Sequence, residues 1–121
     1  MSRFSPRRLL SRLTLALLLA TPALAGGPSH PSDVAGAIGF LLRVQDGVCP
    51  GISFDPFVMS KMIDPKGLPV EAVKHRFRKD FSHGYEQAGS RIETDGAAGY
   101  CELVRYFFGK TTGEFPGLTV Q

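Results

Sequence analysis

The sequence predicts an all-α protein: a small bundle of about four helices with one disulfide, preceded by a cleavable signal peptide. Three observations carry that expectation. Between Leu68 and Ile92 the apolar residues Val70, Val73, Phe77, Phe81, Tyr85, Ala88 and Ile92 recur at helical spacing, which puts them on one face of about six turns. No stretch of any length alternates apolar with polar residues, and no repeat is present, so sheet and solenoid folds lack their patterns. The only two cysteines, Cys49 and Cys101, lie well beyond an amino-terminal segment with the three parts of an export signal.

That segment is residues 1–25. Arg3, Arg7, Arg8 and Arg12 precede the apolar run Leu13 to Ala20, and Ala23-Leu24-Ala25 supplies the small-x-small pattern read by signal peptidase. The mature chain is expected to begin near Gly26. A spanning helix needs about 20 apolar residues, and Thr21-Pro22 interrupts this run well before that, so no stable membrane anchor is expected after cleavage. Arg7-Arg8 matches the twin-arginine route poorly, because Ser11 and Arg12 stand where that signal wants apolar residues; the general secretory route fits better.

Export changes the electrostatics. The chain has 14 Lys and Arg against 11 Asp and Glu, but four of the Arg and none of the acids fall in residues 1–25. What remains carries 10 basic and 11 acidic side chains, a net charge of −1 with His neutral. A nucleic-acid binder needs a surplus of cations to displace counterions, so nucleic acid is not an expected partner. The run Lys74-His75-Arg76-Phe77-Arg78-Lys79 is basic, yet on a helix its charges spread around the polar side and read as a solvated face.

The 96 residues from Gly26 onward make one small domain able to bury a core. In an oxidising compartment an even pair of cysteines is most simply a disulfide. Closing the loop of about 53 residues between Cys49 and Cys101 is worth about 4 kcal/mol on the chain-entropy estimate. A metal pair has no C-x-x-C spacing to support it, and no C-x-x-C-H signature for haem occurs.

Taken in order, residues 26–32 are a Gly- and Pro-rich leader that cannot hold a helix, followed by a helical domain over 33–109. Ser32 and Asp33 look like an N-cap and a first-turn acid for a helix reaching about Asp46, with Val34, Ile38, Leu41 and Leu42 on its face. Phe40 and Val44 widen that face. Gly36 and Gly39 weaken this helix unless they pack closely against a neighbour, the reading preferred here. Gly47 ends it and Cys49-Pro50-Gly51 turns the chain. Asp55-Pro56 starts a short helix facing inward through Phe57, Val58, Met62 and Ile63, and Asp64-Pro65-Lys66-Gly67 is a turn. Pro69 opens the long third helix, with Gly84 or Gly89 as places where it could break. Thr94-Asp95-Gly96 reads as a turn or re-cap before a last helix, Ala97 to Phe108, whose face holds Ala97, Tyr100, Cys101, Leu103, Val104, Phe107 and Phe108. Residues 110–121 are expected to be an irregular tail packing through Phe115 and Leu118. In this arrangement a Cys49–Cys101 bond clamps the end of the first helix to the last.

Chemistry is sparse. His75 and His83 lie eight apart, about 80° around a helix, and are poorly placed to share a metal. Asp80 and His83, three apart, could share one, but such sites draw ligands from several helices, and no other His lies in the core segments. Ser82 and His83 are neighbours pointing in different directions, no G-x-S-x-G is present, and no acid interrupts an apolar face. No catalytic, cofactor-binding or metal-binding residue is therefore assigned. The aromatic residues Phe77, Phe81, Tyr85 and Phe108 are candidates for lining an apolar pocket, although in a domain this small large aromatics mostly fill the core.

The elements Phe81-Ser-His-Gly84-Tyr85, Gly96-Ala-Ala-Gly-Tyr-Cys101 and Tyr106-Phe-Phe-Gly109 resemble those of small exported, functionally uncharacterised helical proteins of Gram-negative bacteria. In these an F-x-x-G-Y element precedes a cysteine-bearing helix and an earlier cysteine follows the first helix. The resemblance covers roughly Asp33 to Gly109; it implies a periplasmic helical domain and brings no catalytic residues. The expectation is a periplasmic or secreted, non-enzymatic protein that binds or stabilises another exported protein. The alternatives are a carrier of a small apolar ligand and a metal-dependent enzyme centred on Asp80 and His83.

Overall fold

The computed structural model describes residues 30–109 and 115–121. The expected signal peptide, residues 1–25, the expected leader residues 26–29 and tail residues 110–114 lie outside the described residues. Helix α1 runs Pro31–Leu41 and continues as a 3-10 turn, Leu42–Asp46, which Gly47 closes in the left-handed region at φ 78°. It begins one residue before the expected Ser32 cap, with Pro31 in the first turn, where a missing N–H removes no helical bond. Val34, Ile38 and Leu41, read as the inner face, are at most 1% exposed, Leu42 on that face is half-buried, and Ala35 is buried beside them.

Strand β1, Ile52–Phe54, pairs antiparallel with β2, Leu118–Val120, in the register Ile52↔Val120, Ser53↔Thr119, Phe54↔Leu118. Asp55 N–H donating to Gly117 O at 2.8 Å and Gln121 N–H donating to Gly51 O at 2.9 Å extend the ladder at both ends. The tail expected to be irregular thus ends in a strand. The small sheet makes the fold mostly helical rather than all-α.

Asp55 caps α2, Pro56–Met59, its carboxylate accepting from the N–H of Phe57 and Val58 at 3.0 and 3.4 Å. The helix buries Pro56 and Met59, whereas Phe57, expected on the inner face, is 44% exposed. Ser60, fully buried in the following 3-10 turn, donates to Phe57 O and accepts from Leu68 N–H, both at 2.6 Å. One hydroxyl therefore ties α2 to the chain entering α3.

The expected long third helix is broken, but not at Gly84 or Gly89. Helix α3, Val70–Arg76, stops at Phe77 (φ −124°, ψ 49°), and α4 runs Arg78–Phe108 through both glycines. Within α4, Gly96 alone is non-helical, at φ 78° and ψ 170°, where the sequence suggested a turn. The bend there is large. Phe40 N–H faces Gly84, while Phe40 O accepts a 2.6 Å hydrogen bond from the Tyr100 hydroxyl. Gly84 and Tyr100 would stand about 24 Å apart on a straight helix. Gly96 therefore brings both halves of α4 onto α1.

The two halves meet α1 differently. A Cβ at Gly39 would overlap Phe81 O, and one at Gly84 would overlap Gly36 O, so α1 and the first half of α4 touch backbone to backbone. This is the close packing expected of the helix glycines: Gly39 takes part through its missing side chain and Gly36 through its carbonyl, while a Cβ at Gly36 itself would stand 3.4 Å from Asp80 O, an ordinary contact. The second half is held by Tyr100, Val104 and the Phe40–Tyr100 ring contact at 5.2 Å. The Cys49–Cys101 disulfide, with Cα atoms 5.5 Å apart, joins it to the loop after α1, the clamp expected from the sequence. Among the described residues no helix is long and apolar enough to cross a membrane.

Candidate functional site

Where α3 meets α4 the apolar stripe is only partly covered. Val73, Phe81 and Ala88 are buried, but Val70 and Leu42 are half-buried and Tyr85 is 39% exposed. Together Leu42, Val70, Phe81 and Tyr85 line an open groove of about 350 Å³, with Glu71, Lys74, Ser82 and Glu86 along it. The break at Phe77 makes this opening. By ending α3 before α4 begins, it presents Val70 and Lys74 across the groove from Phe81 and Tyr85.

The ring of Tyr85 is the most organised feature of the groove. It lies nearly parallel to Phe81, with centroids 6.5 Å apart and planes 7° apart, and the Arg43 guanidinium carbon sits 4.5 Å from its centroid. Gly89, one turn along, leaves room for that guanidinium: a Cβ there would stand 3.1 Å from Arg43 Nη2. Arg43 Nε is buried without a hydrogen-bond partner, so the cation is held by stacking rather than by an acid. Behind this wall the Tyr100 hydroxyl stays protonated: burial raises its pKa above the ordinary phenol value, which Arg43 lowers and Asp46 raises again.

Of the four aromatics read as a possible pocket, Phe81 and Tyr85 share the groove. Phe77 is half-buried at the helix break. Phe108 packs elsewhere, its ring 6.3 Å from Phe40 and 5.0 Å from Phe115. Phe107, expected on the inner face, is 43% exposed. Leu42 and Val70 were legible only as core positions, and nothing in the sequence singles out Arg43. Asp80 and His83 are both exposed, and among the described residues no group of three or more His, Cys, Asp or Glu is arranged to hold a metal ion. Comparison with known proteins finds no matching family model, no matching curated protein and no matching solved structure.

Proposed function

We propose that the chain is an exported, periplasmic binding protein that performs no chemistry of its own and holds an apolar segment of another exported protein in the groove between α3, α4 and the 3-10 turn after α1. The observation that supports this reading is an open groove in which half-buried Leu42 and Val70 stand over the buried Phe81, with Glu71, Lys74, Ser82 and Glu86 along its rim. An apolar centre inside a polar rim is the usual anatomy of a protein-recognition patch. Tyr85 adds a large, stiff side chain at its edge, already ordered by Arg43 and Phe81, so little rotamer freedom remains to be lost on binding. The buried disulfide suits the oxidising compartment that the amino-terminal signal implies.

A photoreactive phenylalanine analogue placed at Tyr85 in exporting cells tests the proposal. The expected result is one recurrent protein adduct in the periplasmic fraction, lost when Val70→Lys puts a charge on the groove floor. Recovery of the protein from the cytoplasm, or absence of any protein adduct, would contradict it. The same groove supports a second reading, a carrier of a small apolar ligand, through Phe81 and Tyr85. A discrete small molecule extracted from natively purified protein would favour that reading.

A further inference from the structure

Five of the six residues from Lys74 to Lys79 are basic: Lys74, His75, Arg76, Arg78 and Lys79. One continuous helix would spread them around its axis. The break at Phe77 divides them, with Lys74, His75 and Arg76 in the last turn of α3 and Arg78 and Lys79 in the first turn of α4. All five are exposed, and among the described residues none of them is in an ion pair; the Arg91–Asp95 pair, at 3.2 Å, lies further along α4.

Half of this arrangement runs against local stability. Cations at the end of α3 face the negative end of its dipole and are favourable there, but Arg78 and Lys79 face the positive end of α4. Asp80 offsets part of that, and Glu71 and Glu86 are the next acids along the chain. The rest of the molecule has the opposite sign. From Gly26 onward there are 10 basic and 11 acidic residues, and four of the basic ones are in this corner, which leaves six against 11 elsewhere. Arg78, Lys79, Ser82, His83 and Glu86 line a shallow depression that lies open rather than closing around a single anion. A run of exposed, unpaired cations along a chain otherwise acidic fits an extended anionic surface, which attracts one corner and repels the remainder.

We infer that the α3–α4 corner docks reversibly on an anionic phospholipid bilayer, with Lys74, Arg76, Arg78 and Lys79 facing the headgroup phosphates. This goes beyond the groove reading and does not depend on it. The test is co-sedimentation of the protein, recovered from cells expressing the full chain, with vesicles of phosphatidylglycerol and phosphatidylcholine or of phosphatidylcholine alone. Binding is expected only to the phosphatidylglycerol vesicles and should fall as salt is raised. Arg78→Gln with Lys79→Gln should weaken it by about 25-fold, at about fivefold per cation. Lys61→Gln with Lys66→Gln, which removes the same charge elsewhere, should change it by less than about twofold. Circular dichroism should show the Arg78/Lys79 variant as helical as the parent, with a thermal midpoint no lower. Absence of binding to phosphatidylglycerol, equal losses in the two double variants, or a lowered midpoint in the first would overturn the inference. So would tighter binding of polyglutamate or of a single-stranded oligonucleotide than of the vesicles, because the corner would then serve another polyanion.

Discussion

The two halves of α4 pack on the same short helix by opposite means. Before Gly96 the contact is made by what is missing: Gly39 and Gly84 carry no side chain, and the backbones of α1 and α4 touch. After Gly96 it is made by what is present: a buried tyrosine with a hydrogen bond, aromatic rings and a disulfide. The first contact should be intolerant of added atoms and the second of removed ones. That asymmetry follows from close packing, since a filled gap forces backbone apart while a lost group leaves a hole or an unpaired donor.

Four experiments sharpen or break the contrast. The largest effect is expected from Cys49→Ala with Cys101→Ala, which should lower unfolding free energy in denaturant titration by about 4 kcal/mol. Gly84→Ala comes next, at about 3 kcal/mol by the same titration, because the new methyl meets the Gly36 carbonyl rather than a side chain that could swing away. Gly36→Ala, whose Cβ would stand 3.4 Å from Asp80 O, should stay within about 1 kcal/mol of the parent; equal losses at both positions would end the close-contact account. Third, Gly96→Ala should cost about 2 kcal/mol without crowding anything, since nothing lies near its Cβ position and the penalty is backbone strain at φ 78°. The smallest is Tyr100→Phe, at about 1 kcal/mol for one hydrogen bond. This last variant also separates a pH effect. Burial raises the Tyr100 pKa in the folded protein, so its contribution is intact below the unfolded phenol's value of about 10 and is lost as pH rises above that. Above about pH 10 the parent should lose stability more steeply than Tyr100→Phe, and parallel curves would refute the buried phenol.

Much of this contrast was legible in the sequence. Gly47, the Asp55-Pro56 start, the Asp64-to-Gly67 turn and the re-cap at Gly96 are marked by residues whose local chemistry decides the backbone. The disulfide followed from the number of cysteines and the expected export signal, and the close helix contact from the oddity of two glycines, Gly36 and Gly39, inside an amphipathic helix. The break at Phe77 was not legible. Val73, Phe77 and Phe81 are each four apart, so the apolar period runs through the break without a change of phase, and no Gly or Pro marks it. Tertiary packing overrides local preference there. The sheet was hidden for another reason: strands of three residues are too short for alternation to register, and Ile52–Phe54 meets Leu118–Val120 across most of the domain. The groove inherits both gaps. Its aromatic members were visible as a stripe, but its opening depends on the hidden break, and Phe108 was drawn away to Phe40 and Phe115 by the bend at Gly96.

The break and the bend also divide the labour of the molecule. The bend at Gly96 closes the core around α1, while half-buried apolar residues and exposed cations flank the break at Phe77. The proposed binding groove and the proposed lipid-facing corner both sit at the break, away from the disulfide.

Everything rests on α4 folding back at Gly96 so that Phe40 touches both of its halves. Nuclear Overhauser spectroscopy of the oxidised protein addresses this directly. The expected spectrum connects the Phe40 amide to the Gly84 α-protons and the Phe40 ring to the Tyr100 ring in one species. Cross-peaks to Gly84 without any to Tyr100, in protein whose disulfide is intact, would mean a straight α4 and would contradict the fold described.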